Sequence, residues 1–304
     1  MCSAFENEMF CFAILRDENE NTIYSDLTGR FPIESYTGMN YIFVCYVYKL
    51  NTILLRTMKN REDEEMVSAF KSCYKELNDK GHHPTLHVLD NECSRAVKEF
   101  ISSERTDLQF VESYNHRVNA AEHGCKAAKY HTIATLCTID PACPVQLWDR
   151  FVPQIEATLN ILRTSRIDST KSAYEALNGR KFDWNRTPLA PVGQRALAFL
   201  DPANRLTWAP HAIDAFTLGF APEHYRLLRF WNKQTGGCLT TGTYALYPAY
   251  CRVPAISEGD RTVMTAAELL DLFKTIVPRN TNEKVKHCNS IEKLTNTLSE
   301  YQAP

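Results

Sequence analysis

Apolar positions fall into three short runs near the start of the chain. TIYSDLTG (22–29) is a strand candidate. YIFVCYVY (41–48) and TILLRTMK (52–59) are rich in β-branched and aromatic residues, and the three residues between them suit a hairpin. From Glu62 to Leu77 the period changes: Met66, Val67, Phe70, Tyr74 and Leu77 recur at helical spacing. Gly81 and Pro84 close that helix. TLHVLDNE (85–92) then reads as a buried strand whose apolar run, Leu86, Val88 and Leu89, stops abruptly at Asp90, Asn91 and Glu92. A short helix over about 94–103 leads to the strand LQFVES (108–113). Strands and helices in this order predict an α/β sheet domain with a hairpin at its start.

Two longer helices are predicted over about 116–137 and 146–163. In the second, Leu147, Trp148, Phe151, Ile155, Leu159 and Leu162 form a core-facing stripe. NRTPLAPVGQ (185–194) has the Pro and Gly of a linker. Beyond it, RALAFL, IDAFTLGFA, YRLLRFWN and TTGTYALYP read as short strands with turn signals between, which predicts a small β-barrel. From about 255 the chain is polar, with one helix announced by the capping-box pair Thr265 and Glu268 ahead of Leu269, Leu270, Leu272 and Phe273. The expected division is 1–18 as an N-terminal remnant or linker, 19–180 as the sheet domain, 181–254 as a small β-rich domain and 255–304 as a helical or flexible tail.

Composition changes this picture little. With 304 residues, 44% hydrophobic and 23% charged, the chain can bury a real core. Its net charge of −2 names no partner, but the charge is unevenly placed. Residues 60–112 hold seven Lys/Arg against twelve Asp/Glu, whereas 179–254 hold nine against four. An acidic middle and a basic later segment could bring cations and polyanions together. The eleven cysteines are scattered without a C-x-x-C pair, and no signal peptide is recognisable. They read as reduced thiols of an intracellular protein. FCFAIL (10–15) is too short to span a membrane, and no membrane partner is expected. His82, His83 and His87 lack a cysteine pair at finger-like spacing and read as turn and strand residues.

The acids carry the candidate chemistry. Burying a carboxylate at a strand end is costly without a cation or hydrogen bonds, although Asp-Asn at a strand end in solvent is ordinary loop chemistry. Asp26 lies within the first strand. Were the two strands neighbours, Asp26 and Asp90 could project at one sheet edge, where a divalent cation relieves their repulsion. Carboxylate oxygens favour Mg2+ or Mn2+ over zinc. A third acid comes from YNHRVNAAEHGCKAAKYH (114–131), which, if helical, puts Asn119, Glu122, Lys126 and Lys129 on one face. Two readings stand side by side. One is a surface Glu–Lys pair contributing a few tenths of a kcal/mol; the other is a metal ligand whose neighbouring lysines meet a phosphate backbone.

YSDLTGRFP, VLDNE, QFVESYNHRVNAAEH, TLNILRTSRIDSTKSAYEALNG and NRTPLAPVGQRA, in this order, resemble the integrase region of a copia-type LTR retrotransposon polyprotein over about residues 10–254. The resemblance implies a ribonuclease H-like mixed five-stranded sheet flanked by helices, then a small C-terminal β-barrel-like domain that binds DNA and a partly helical tail. It implies an Asp, Asp, Glu triad at Asp26, Asp90 and Glu122, holding Mg2+ (or Mn2+) as two ions for DNA 3′-end processing and strand transfer. Asn119 falls where the family has an Asn before its glutamate. Lys126 and Lys129 fall where related retroviral enzymes contact DNA. Element ends and target DNA, a homo-oligomer when complete, and a nuclear location follow from the same resemblance.

In the later segment Arg205, Arg226, Arg229, Lys233 and Arg252 interleave with Trp208, Phe216, Tyr225, Phe230 and Trp231. Aromatics there suit a barrel core, while basic residues among aromatics can also track a nucleic-acid backbone. The resemblance favours DNA contact without choosing among the arginines; Arg226, Arg229 and Lys233 are the expected contacts. The chain also departs from the family pattern. Only Cys2 and Cys11, and no histidine, precede Asp26, where the family has a zinc-binding domain. Just 31 residues separate Asp90 from Glu122, and His123 and Gly124 follow Glu122 where Arg is common. Two alternatives therefore accompany the integrase expectation: a catalytically decayed DNA-binding remnant, and a ribonuclease H-like nuclease acting on RNA–DNA hybrids.

Overall fold

A computed structural model describes residues 21–90, 93–111, 120–201, 203, 205 and 208–247. The hairpin forms as spaced: β2 (Tyr41–Val47) and β3 (Thr52–Met58) pair antiparallel, with Val47 opposite Thr52. β1 (Thr22–Leu27) runs antiparallel to β2 and parallel to β4 (Leu86–Asp90), which pairs parallel with β5 (Asp107–Val111). The order β3-β2-β1-β4-β5 makes a mixed five-stranded sheet. Helices α1 (Asp63–Asp79) and α2 (Arg95–Ser103) make the parallel crossovers, the second capped by the Ser94 hydroxyl accepting from Val97 N–H.

Both faces of this sheet are buried, and alternation along β2 shows how. Phe43, Cys45 and Val47 pack with Phe70, Tyr74 and Leu77 of α1 and Val97 and Ile101 of α2. Ile42, Val44 and Tyr46 pack on the other face with α3 (Ala120–Cys137) and α4 (Trp148–Leu162). Trp148, Phe151, Ile155 and Leu159 supply the stripe expected of α4, where each fully buried large side chain contributes about 1.5–3 kcal/mol. Leu162 does not join them: it is 75% exposed on the last turn, beyond the sheet's reach.

Helix α4 also covers the open edge of β3. Asn160 accepts from Ile53 N–H at 2.9 Å and donates to Ile53 C=O at 2.7 Å, while Glu156 accepts from Leu55 N–H at 2.6 Å. Two side chains one helical turn apart thus replace a neighbouring strand. Burial pushes the Glu156 carboxyl up, opposed by the Arg56 guanidinium 3.0 Å away, which also pairs with Glu76.

After the short helix α5 (Ala173–Asn178), a second sheet contains β6 (Arg195–Phe199), β7 (Ala212–Phe220), β8 (Leu228–Asn232), β9 (Cys238–Thr241) and β10 (Tyr244–Tyr247). It is antiparallel, in the order β10-β6-β7-β8-β9. TTGTYALYP is therefore not one strand: it breaks at Gly242 and Thr243, which join the two edge strands. The expected linker 185–194 is instead a packed strap. Ala190 and Val192 are buried, Gln154 of α4 donates to Ala190 C=O at 2.6 Å, and Gly193 turns with φ +65° where a Cβ would sit 2.6 Å from Ile139. Phe216 and Leu218 of β7 enter the core beside α4, so that helix serves both sheets.

Among the described residues no helix is long and apolar enough to cross a membrane. The expected tail helix at 265–273 and residues 1–18 lie outside the described residues.

Candidate active site

Strand parity turns Asp26 toward α3. Ile23 and Leu27 pack on the α1/α2 face, and Ser25 meets His87 there; Tyr24 packs on the opposite face, which Asp26 shares. Asp26 Oδ1 accepts from Leu27 N–H at 2.7 Å. The β1–β4 register pairs Thr22 with Leu86, Ile23 with His87 and Tyr24 with Val88. The paired register stops there; carried on by two residues, it would set Asp26 level with Asp90 at the carboxyl ends of these adjacent parallel strands. Asp90 itself pairs with Val111 of β5. The Asp90 side chain lies outside the described residues, as do Asn91, Glu92 and Asn119.

Glu122 stands exposed in the first turn of α3, where a carboxylate also complements the helix dipole. One turn on, Cys125 is buried between this helix and β1. Burial pushes its thiol well up, Asp26 adds to that by its charge and as a hydrogen-bond acceptor, Lys129 opposes and Glu122 contributes. Asp26, Glu122 and Lys129 thus all lie within electrostatic reach of this thiol. Cys125 carried no signal beyond its helical spacing from Glu122, since a lone Cys on an apolar helix face reads as packing. Lys126 and Lys129 are both exposed, and the Lys126 ammonium lies 5.7 Å from the Tyr130 ring centroid.

Gly124 acquires a structural reason. It is buried, and a Cβ there would lie 3.2 Å from Tyr46 Cβ, so its absence lets α3 close onto β2. On the α1/α2 side a cleft of about 250 Å³ reaches Asp26 from between Arg61, Asp63, Cys93 and Ser94. Among the described residues no three His, Cys, Asp or Glu side chains form a metal-binding group. His82 and His83 sit in the turn before β4, His82 Nε2 3.1 Å from Leu177 C=O and His83 Nδ1 2.9 Å from Asn78 Oδ1. His87 is a buried strand residue between Ser25 and Tyr74.

The basic residues of the second sheet separate. Arg226 and Lys233 are exposed at the two ends of β8. Arg229 is turned inward: its guanidinium donates to Phe220 C=O at 3.1 Å and to Arg150 C=O at 3.5 Å, and burial lowers its pKa. Phe216 and Phe230 are core, as the packing reading expects, and Trp231 stacks between Phe216 and Tyr36. Trp208 and Tyr225 are exposed. Arg205 is half-buried, and Arg252 lies outside the described residues.

No protein-family model and no curated protein sequence matches the chain. Solved structures similar to it include the HTLV-2 integrase catalytic core domain in complex with magnesium, in its trimeric form (18% identity, TM-score 0.39, 52% of this chain and 95% of that one). A chain of the simian T-cell lymphotropic virus intasome in complex with PP2A regulatory subunit B56 gamma gives 13% identity and TM-score 0.43 over 77% of this chain and 80% of that one. The catalytic core domain of BIV integrase gives 10% identity and TM-score 0.38 over 52% and 93%.

Proposed function

We propose that the chain is an integrase-type polynucleotidyl transferase of copia-type retroelement origin, which holds divalent cations with Asp26, Asp90 and Glu122 and joins DNA ends to target DNA. The observation carrying this reading is the parallel β1–β4 register, which, carried two residues past its last pair, would level Asp26 with Asp90. The influence of both Asp26 and Glu122 on Cys125 supports it from the helix side.

The donor set fits hard cations. Asp26 and Glu122 offer carboxylate oxygens, the donors that Mg2+ and Mn2+ prefer. Mg2+ or Mn2+, which Asp26, Asp90 and Glu122 would hold, would supply activation of an attacking oxygen and stabilisation of a leaving one. The chain's own residues supply positioning. Leu27 N–H holds one Asp26 oxygen, α3 carries Glu122 in its first turn, and on this reading the exposed Lys126 and Lys129 of that helix would meet a phosphate backbone. In the reaction proposed, water first attacks a phosphodiester near a DNA 3′ end, releasing the terminal nucleotides. The 3′-hydroxyl left behind then attacks a target phosphodiester and displaces the target's own 3′ oxygen. On this reading 181–254 contributes DNA contacts from a barrel-like domain, and the complete protein acts as a homo-oligomer in the nucleus.

Strand transfer of a fluorescent DNA end in Mg2+ and in Mn2+ tests it, with Asp90→Asn beside the parent. The expected result is joining by the parent and loss of about a hundredfold or more in the variant. A second reading, a DNA-binding remnant without turnover, is favoured by the Cys125 thiol set against Asp26 and by His123-Gly124 after the glutamate. Binding of DNA by both proteins with joining by neither would select it. Degradation of an RNA–DNA hybrid that Asp26→Asn abolishes, without any joining, would select a nuclease instead.

A further inference from the structure

The segment RKFDWNR (180–186), which follows α5, gathers charge and exposed aromatic surface away from the three acids. Arg180, Lys181 and Arg186 border a cavity of about 280 Å³ that Tyr174 and Phe182 also line. Phe182 sets its edge against Tyr174 on one side, with centroids 5.1 Å apart, and against Trp184 on the other, at 4.8 Å. The rings form a continuous row that ends in Trp184, 58% exposed. Both guanidinium groups act on the Tyr174 hydroxyl, opposing the upward push of its burial, which places their charge along the same row.

A second loop joins this one. Arg226 N–H donates to Arg186 C=O at 2.8 Å, bringing Arg226 and the 67% exposed Tyr225 alongside. Arg226 holds φ +60°, a left-handed conformation unfavourable for a residue with a Cβ and maintained only where its surroundings impose it. Three cations thus border one cavity, and the fourth, Arg226, lies on the loop whose backbone bonds to Arg186. Among the described residues none of the four is ion-paired, and the nearby Asp183 spends one oxygen on the N–H groups of Asn185 and Arg186. Unneutralised arginines beside exposed Trp and Tyr rings match a polyanion that also presents flat faces. In a duplex those faces are stacked away, so the partner that satisfies both features is an unpaired strand.

We infer that residues 180–186 with Tyr225 and Arg226 form a platform for unpaired DNA, on which Trp184 and Tyr225 stack against bases and the four cations meet phosphates. The platform rests on the nucleic-acid reading above for its class of partner, and it assigns that partner a single-stranded form. It differs from Arg229, whose guanidinium is already held by carbonyls.

The test uses the full chain in a chelating buffer, without metal or turnover, and follows binding of a fluorescent oligothymidylate of about twelve nucleotides. A duplex of equal length and poly-glutamate serve as competitors. The oligothymidylate should bind more tightly than the duplex, and Trp184→Ala should weaken it about tenfold or more. The double substitution Arg180→Gln, Lys181→Gln should lower the slope of log affinity against log salt by about 1.4, the value for two single-strand phosphates. Arg226→Gly relieves the strained backbone, so it should weaken binding while leaving the thermal midpoint undiminished. Variants that bind like the parent, or poly-glutamate displacing the probe as well as DNA does, would overturn the platform. A parent that binds the oligothymidylate but joins no ends would retain it and remove only the transferase.

Discussion

His87 is fully buried, with one ring nitrogen 2.8 Å from Ser25 Oγ and the other 2.9 Å from the Tyr74 hydroxyl. Burial drives its pKa down to about 3, so the folded chain keeps it neutral. The unfolded chain protonates it near its ordinary value of about 6.5. Between those values the unfolded state holds the extra proton, and stability therefore falls as pH drops from about 6.5 toward 3, by up to about 1.4 kcal/mol per unit. Above that window His87 contributes no slope. Urea unfolding from pH 8 to pH 4 checks this: His87→Asn should be the less stable protein at pH 8, and the gap to the parent should narrow steadily below pH 6.5. The strand pattern placed His87 in β4, and helical spacing placed Tyr74 on a core face. Their hydrogen bond was not legible, because periodicity fixes a face but not which residue across the core meets it. Cys125 shows the same limit beside Asp26.

At the scale of elements, period was a reliable guide wherever a stretch had one buried face. The hairpin, α1, α2 and α4 all lie within a few residues of their expected bounds. It was less reliable where the signal was punctuation. Pro and Gly mark a turn without saying whether it is buried, so 185–194 read as a linker although Gln154 and Gly193 pin it against the core. TTGTYALYP read as one strand because a single Gly within it is weak evidence for a chain reversal. Nor does any pattern announce that α4 guards the edge of β3. There the consequence is energetic. Asn160→Ala would strand both the N–H and the C=O of Ile53 in a buried setting, a loss of about 2–4 kcal/mol. Denaturant unfolding should show a lower midpoint with an unchanged slope. An unaltered midpoint would mean that water or another group reaches that edge.

For the molecule as a whole, the order β3-β2-β1-β4-β5 matters most, since it makes the strands bearing Asp26 and Asp90 parallel neighbours in matched register. The sequence supplied the acids and their types, and the resemblance supplied their grouping; the register supplies a physical reason for it. The uneven charge along the chain also finds places. The acidic stretch 60–112 holds the strand end at Asp90 and the helices covering one sheet face, and the basic stretch holds the exposed cations of 180–186 and Arg226. Most of the later aromatics could not be divided between core and surface in advance. Phe216 and Phe230 are buried while Trp208 and Tyr225 are not, although all four sit among basic residues.

The central claim is that two strand ends and one helix bring three carboxylates to a shared cation. Mn2+ binding measured by calorimetry on the parent, Asp26→Asn, Asp90→Asn and Glu122→Gln addresses it without requiring turnover. Saturable binding by the parent, weakened about tenfold or more by each substitution, is the predicted result. Undiminished binding by Asp90→Asn would contradict it, because the acid that the register, carried on, sets level with Asp26 would then hold no metal.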